Sequence, residues 1–230
     1  MPLAGRRRVT PEQIVDAAAA LFAREGYHAV GTRDIADELG IRGASLYHHY
    51  RSKEEILAAI CRRVTAEPVE ETLPLLDDAG TPGTRLAALV RAHLQHLVRR
   101  RVEFLVGLQE LAALTPEHRA QVEEHRRRYQ RRVRDTVAAG VRSGEFRVDD
   151  PALAALALLD ALNGTARWLS PSGPRSPDVV AEVYVRLLVD GLLGRSAADQ
   201  GSPEPCPVDT VPAEFVGPED RKGRAGTESR

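Results

Sequence analysis

The sequence predicts an all-α fold, on three observations. Ala and Leu dominate a chain that is 43% hydrophobic but only 4% aromatic, a balance that suits packed helices and offers few strand-like segments. Apolar residues recur three and four positions apart through most of the chain. A capping residue followed by proline recurs at Thr10–Pro11, Thr115–Pro116, Asp150–Pro151 and Ser176–Pro177. The side-chain oxygen there accepts an orphan backbone N–H, and proline fits the first helical position.

Residues 1–9 form a Gly- and Arg-containing arm, either reaching along DNA phosphates or into a minor groove, or simply solvated. The first helix opens at Thr10–Pro11, buries Ile14, Ala17, Ala18, Leu21 and Phe22, and stops at Gly26. Thr32 is read as the cap of the second, with Ile35, Ala36 and Leu39 inward. Gly40 suits a left-handed position after a helix, and Ile41 plugs the corner. A short third helix is predicted over 42–48, with Leu46 inward. Arg42 is a poor cap, which leaves its first residue open. Ser52 and Glu55 make a capping box for a fourth helix, expected to run to about residue 67, where Pro68 ends or kinks it.

Farther on, residues 69–83 read as a short helix and a turn. Residues 84–100 form an amphipathic helix through Leu86, Leu89, Val90, His93, Leu94 and Leu97. A very apolar helix follows over 102–114. Residues 117–142 carry many arginines, but Val122, Tyr129, Val133 and Val137 share one face, so the charge is read as a solvated surface. The helix after Asp150–Pro151 is apolar nearly all round and must be buried on several sides. The last, after Ser176–Pro177, carries Val179, Val180, Val183, Leu187, Leu188 and Leu192. Two such helices are expected to pair with their copies in a four-helix, two-fold dimer. Residues 196–230 turn rich in Pro, Gly, Ser and charge and are expected to be disordered.

Two short helices joined through a glycine-containing turn make a helix-turn-helix corner, whose second helix lies in a DNA major groove. Such corners also occur in helical proteins without that role. The neighbouring side chains favour DNA: Arg33, Arg42, Ser45, Tyr47, His48, His49, Tyr50, Arg51 and Lys53 crowd around it. Arg reads guanine edges, Lys neutralises phosphate, and hydroxyls hold backbone oxygens. Formal net charge is −1, so affinity for nucleic acid must come from this local patch.

On the segments ALFAREGYHAVGTRDIADELGI and SLYHHYRSKEEIL, residues 10–57 closely resemble the N-terminal domain of the tetracycline-repressor (TetR) family of one-component bacterial regulators. The resemblance implies a DNA-binding domain over 10–57 and a ligand-binding and dimerisation domain over 58–195. It implies that Tyr47, His49 and Lys53 clamp phosphates, with Thr32 holding another. Arg33 and Arg42 are the expected base readers, with Ser45 beside them. The chain departs from the family in placing Gly43 and Ala44 before Ser45, which shifts reading onto Arg42. The second half of the body resembles a subgroup of repressors of fatty-acid and sterol catabolism that respond to acyl-CoA thioesters. That implies an acyl-CoA effector. Arg167 could then meet CoA phosphates and Trp168 could line an acyl channel, or Trp168 packs a dimer core. Asn163, polar in an apolar helix, either meets the ligand or bonds a backbone carbonyl.

Other classes find less support. No converging nucleophile, acid or base marks an enzyme, and a DNA-architectural protein would lack a sensing cavity. No cofactor and no metal is expected: His93 and His96 lie three apart, but no third ligand is placed. Cys61 and Cys206 form no framework and point to a reducing cytoplasm. The longest apolar run, residues 152–159, falls far short of the roughly 20 residues of a membrane span.

Overall fold

A computed structural model describes residues 9–194; the tail expected over 196–230 and all of the arm but Val9 lie outside them. Among the described residues every regular element is helical. Helix α1 is Pro11–Glu25, α2 Thr32–Glu38, α3 Gly43–His49 and α4 Lys53–Glu71. Helices α5, α6 and α7 are Pro82–Arg99, Arg101–Gln109 and Pro116–Arg142, α8 is Pro151–Gly164, and α9 is Pro177–Tyr184.

The caps are local and strong. Thr10 and Gln13 form a reciprocal box at the start of α1. Ser52, Thr81, Thr115 and Ser176 each accept a backbone N–H at the head of their helix. Asp150 Oδ1 accepts two, from Ala152 and Leu153. Each cap is worth about 1 kcal/mol.

The structure corrects several expectations. Val9 does not belong to a flexible arm: it is buried in the N-terminal core. Gly31, not Thr32, caps α2. Its N–H donates to Asp34 Oδ2 at 2.7 Å, so Thr32 is the first helical residue. Helix α4 does not end at Pro68 but runs through it to Glu71. Proline forfeits one backbone bond there, yet Pro68 and Val69 are buried and packing carries the helix on. The helix expected over 102–114 stops at Gln109, with a tight 3₁₀ turn at Leu111–Ala113. After Tyr184 the last helix widens into a π segment, Val185–Leu192.

Two apolar clusters organise the molecule. The first gathers Ile14, Phe22, Ile35, Leu46, Ile56 and Ile60 of α1–α4, and is completed by Val106, Leu114 and Val122 from farther along the chain. The second gathers Leu86, Leu89, Leu94, Val133, Val137, Leu158, Leu162 and Val189. Burying each such side chain contributes about 1.5–3 kcal/mol. Helix α4 enters both: its first half lies in the first cluster and Val69 in the second.

Candidate DNA-reading corner and effector cavity

The turn between α2 and α3 is held by Gly40, at φ +64°, and by the Ile41 N–H donating to Ala36 O at 2.9 Å. Leu46 and Ile35 are fully buried beneath the corner. Arg33, Arg42, Ser45, Tyr47 and His49 are exposed, and Gly43 and Thr32 are half-buried. No carboxylate among the described residues pairs with Arg33 or Arg42. Thr32 Oγ1 and Tyr47 Oη lie 3.0 Å apart, so two of the expected phosphate contacts come together where α2 begins. A side chain added at Gly43 would meet nothing within 4 Å.

Lys53 is placed differently. Its ammonium donates to Tyr27 O and Val30 O, each at 2.8 Å, and sits 4.3 Å over the Tyr27 ring. It fixes the loop that leads into α2, and at most one of its three protons is left for a phosphate.

Behind the corner, α4 is fastened to the body. Glu54 accepts the Thr115 N–H at 2.8 Å and meets His118 Nδ1 at 2.9 Å. Burial opposes ionisation of this carboxyl, but these two contacts hold it below the ordinary carboxylate range. Arg63 reaches Asp16 of α1 and Glu103 of α6 together, and Arg100 forks onto Glu67 of α4. Helix α4 is thus tied to α1, α6 and α7 by charge as well as by packing.

A cavity of about 170 Å³ lies against the same helix. Cys61, Val64, Thr65 and Pro68 of α4 form one wall; Phe104, Gly107 and Leu108 of α6 another. Helix α7 contributes Val122, Arg126, Tyr129 and Gln130, helix α5 His93, and helix α8 Leu156, Leu159, Asp160 and Asn163. Leu108, Arg126, Leu156 and Asp160 are exposed and mark the mouth, while His93 and Tyr129 are buried. Burial and the nearby His96 push the His93 imidazole down to about 4, so it is neutral near pH 7. Burial pushes the Cys61 thiol up to about 11, which makes it an unreactive wall residue. Among the described residues no three His, Cys, Asp or Glu side chains converge as a metal would need, and no helix is long and apolar enough to cross a membrane.

Comparison with known proteins agrees with this division. Residues 14–60 match the family described as "Bacterial regulatory proteins, tetR family", and residues 79–192 match "Tetracyclin repressor-like, C-terminal domain". The HTH-type transcriptional repressor KstR2 of Mycolicibacterium smegmatis is 30% identical over 183 residues, 79% of this chain and 89% of that one. The chain belongs to the TetR family. Among solved structures, the TetR-family regulator PfmR from Thermus thermophilus is 36% identical, with a TM-score of 0.73 over 78% of this chain and 98% of the other. AibR, solved in complex with isovaleryl coenzyme A and operator DNA, is 28% identical, with a TM-score of 0.70 over 80% of this chain and 98% of its own. As a TetR-family member the chain is a helix-turn-helix transcriptional regulator and not an enzyme.

Of the ligand set expected of this TetR-family regulator, the cavity gathers one residue. Asn163 lines it. Arg167 and Trp168 do not: both are exposed beyond the end of α8, where Arg101 holds the Ala166 and Arg167 carbonyls. The chain turns into a 3₁₀ segment at Thr165, which carries those two side chains away from the cavity, and the Trp168 ring instead neighbours that of Tyr184, 6.4 Å away. The basic group at the mouth is Arg126. Its spacing from Val122, Tyr129 and Gln130 is the available signal, masked by the arginines around it.

Proposed function

We propose that the chain is a homodimeric repressor in the cytoplasm that binds a near-palindromic operator and releases it when an acyl-CoA thioester enters the body. One observation carries this reading: α4 begins directly behind the DNA-reading corner and ends as a wall of the cavity. An occupant of the cavity presses on the element that positions the corner. The effector acts only as far as it prefers the arrangement that does not fit DNA.

Arg33 and Arg42 read base edges, with Ser45 beside them. Thr32, Tyr47 and His49 hold phosphates, joined by the remaining proton of Lys53. Gly43 brings the backbone of α3 close without a side chain of its own. The acyl carbons occupy the cavity and the anionic coenzyme A lies at the mouth near Arg126. An opening of about 150 Å³ takes up benzene in an engineered protein, so a short, branched or cyclic acyl group suits this cavity. The isovaleryl coenzyme A bound by AibR supports that class of ligand.

The dimer is supported by apolar side chains on the outer faces of α8 and the last helix. Leu153, Val179, Leu187 and Leu192 are all exposed in the single chain, and apolar side chains left outside on two helices invite a partner surface. A two-fold pairing through these helices sets the two reading helices about 34–36 Å apart, one turn of DNA.

The test is to select an operator from random duplexes with the purified protein and follow its fluorescence anisotropy. Two chains should bind each near-palindromic duplex, and micromolar acyl-CoA of suitable size should release it. A single chain bound without sequence preference, or indifference to every thioester in a graded panel, would overturn the reading.

A further inference from the structure

A second stripe of α4, clear of the cavity, is charged. Cys61, Val64, Thr65 and Pro68 line the cavity; Arg63, Glu67 and Glu71 follow one another four residues apart on another face of the helix. Each of the three meets a partner from outside α4. Arg63 Nη1 pairs with Asp16 of α1 and, at 3.4 Å, with Glu103 of α6. Glu67 takes the fork of Arg100, both bonds at 3.1 Å, and Glu71 takes Arg99 at 2.6 Å. Arg63 differs from the other two in burial and in reach. Its side chain is 10% exposed and that of Glu103 11%, whereas Arg99 and Glu71 are each more than half exposed. Of the three, Arg63 is also the one that joins the N-terminal domain to the body, with Asp16 on the bracing helix α1 and Glu103 on α6.

Stability does not account for this pairing. Taking two charges out of water costs about as much as their attraction returns, and apolar side chains of similar volume would pack the same space; what a buried ion pair supplies is register. The apolar contact across this seam, made by Val106 of α6 within the N-terminal cluster, has no preferred direction and lets two surfaces slide. One nitrogen shared by two carboxylates on different helices allows far fewer arrangements. A second fixed point lies at Glu54, which holds the Thr115 N–H and His118, about 14 Å nearer the start of α4 at 1.5 Å per residue. Two points that far apart fix an angle. It is the angle of α1, and of the corner that α1 braces, to the body. In a two-fold dimer that angle sets where each α3 lies on the duplex.

We infer that Arg63 is a positioning residue for operator spacing: by pinning α1 to α6 across α4, it holds each reading corner at one angle to the body, so that the dimer accepts half-sites at one separation. In this role Arg63 acts through Asp16 and Glu103 and not by contact with DNA. The inference rests on the reading of the chain as a dimer on a two-part operator, but not on any effector.

The full-length protein tests it by fluorescence anisotropy on three duplexes: the selected operator, and the same half-sites one base pair closer together or farther apart. One base pair displaces a half-site by about 3.4 Å and about a tenth of a turn. The unchanged protein should bind the respaced duplexes about 100-fold more weakly, because one of its two modules loses its site. In Arg63→Met that penalty should shrink to about tenfold or less, as loosened corners reach both half-sites again. Asp16→Asn should shrink it as far, with no further change when the two substitutions are combined. Asp16 is exposed, so its variant leaves the fold intact. In Arg63→Met, Glu103 keeps Arg100 at 3.4 Å, and circular dichroism with thermal melting confirms that both variants are folded. A general loss of stability or of phosphate contacts lowers binding to all three duplexes alike and leaves their ratio unchanged. If the unchanged protein takes all three duplexes equally, or binds as a single chain, the dimeric-operator reading falls and the inference with it. If the unchanged protein discriminates and either variant discriminates as strongly, the inference alone is overturned.

Discussion

The N-terminal corner and the helical body solve opposite problems with the same kind of helix. In the corner the interior is apolar throughout, from Ile14 to Ile60, and the polar side chains stand outside on α2 and α3. The body, beside its apolar core, also takes polar groups inside: His93, His96, Tyr129 and Glu103 are buried, and apolar side chains such as Leu153 and Leu187 stand outside. The corner recognises something large that comes to its surface. Under the proposed function, the body recognises something small that it encloses, and turns its apolar exterior toward a second copy. Helix α4 is the element common to both, apolar toward the corner and lining the cavity at its far end.

The sharpest way to break this contrast is at the body's exterior. Leu187→Glu places a charge on a face that the account assigns to the dimer. Losing the second reading module should weaken operator binding by about 10²–10⁴-fold, with a monomer in sedimentation. Unchanged dimerisation would mean that the outer face has another role.

The body's interior gives the next largest effect. His93 protonates near 6.5 in the unfolded chain but at about 4 in the fold. The unfolded state therefore binds the proton first as pH falls. The stability from a neutral His93 is fully present above pH 6.5 and is lost as pH falls toward 4, about 3 kcal/mol in all. His93→Gln should remove that part of the slope in denaturant titrations across the window, and an unchanged slope would place the acid sensitivity elsewhere.

The corner's exterior gives the smallest effect, but the most specific. Arg33→Ala and Arg42→Ala should each cost about 1–3 kcal/mol on the selected operator and much less on random duplex, with no change in thermal stability. Equal losses on both duplexes would make these residues phosphate contacts only.

The same contrast explains what can be read from the sequence. Caps and corner are local: Thr10, Ser52, Thr115 and Asp150 announce helices within three residues of themselves, and Gly40 announces the turn. The course of α4 through Pro68 is not local, because burial on both sides outweighs one lost backbone bond. Nor is the cap of α2, where the Asp34 carboxylate lets Gly31 take the place that residue type assigns to Thr32. The cavity is least legible. Asn163 stands out as a polar residue in an apolar helix. Arg126 and Gln130 are hidden in a charged run whose inward register only α4 and α8 reveal, and Arg167 and Trp168 fall outside because the chain leaves α8 in a tighter turn. Lys53 matches a family position, yet its side chain turns to two carbonyls that only the folded loop supplies.

The central claim is that the cavity and the corner oppose each other through α4. Linkage makes it directly measurable: an effector that weakens operator binding must itself be weakened by operator to the same factor. Titration of the dimer with a tight-binding acyl-CoA, alone and saturated with operator duplex, should give a dissociation constant raised by about 5- to 150-fold on DNA. An affinity that is the same with and without the duplex would contradict the account.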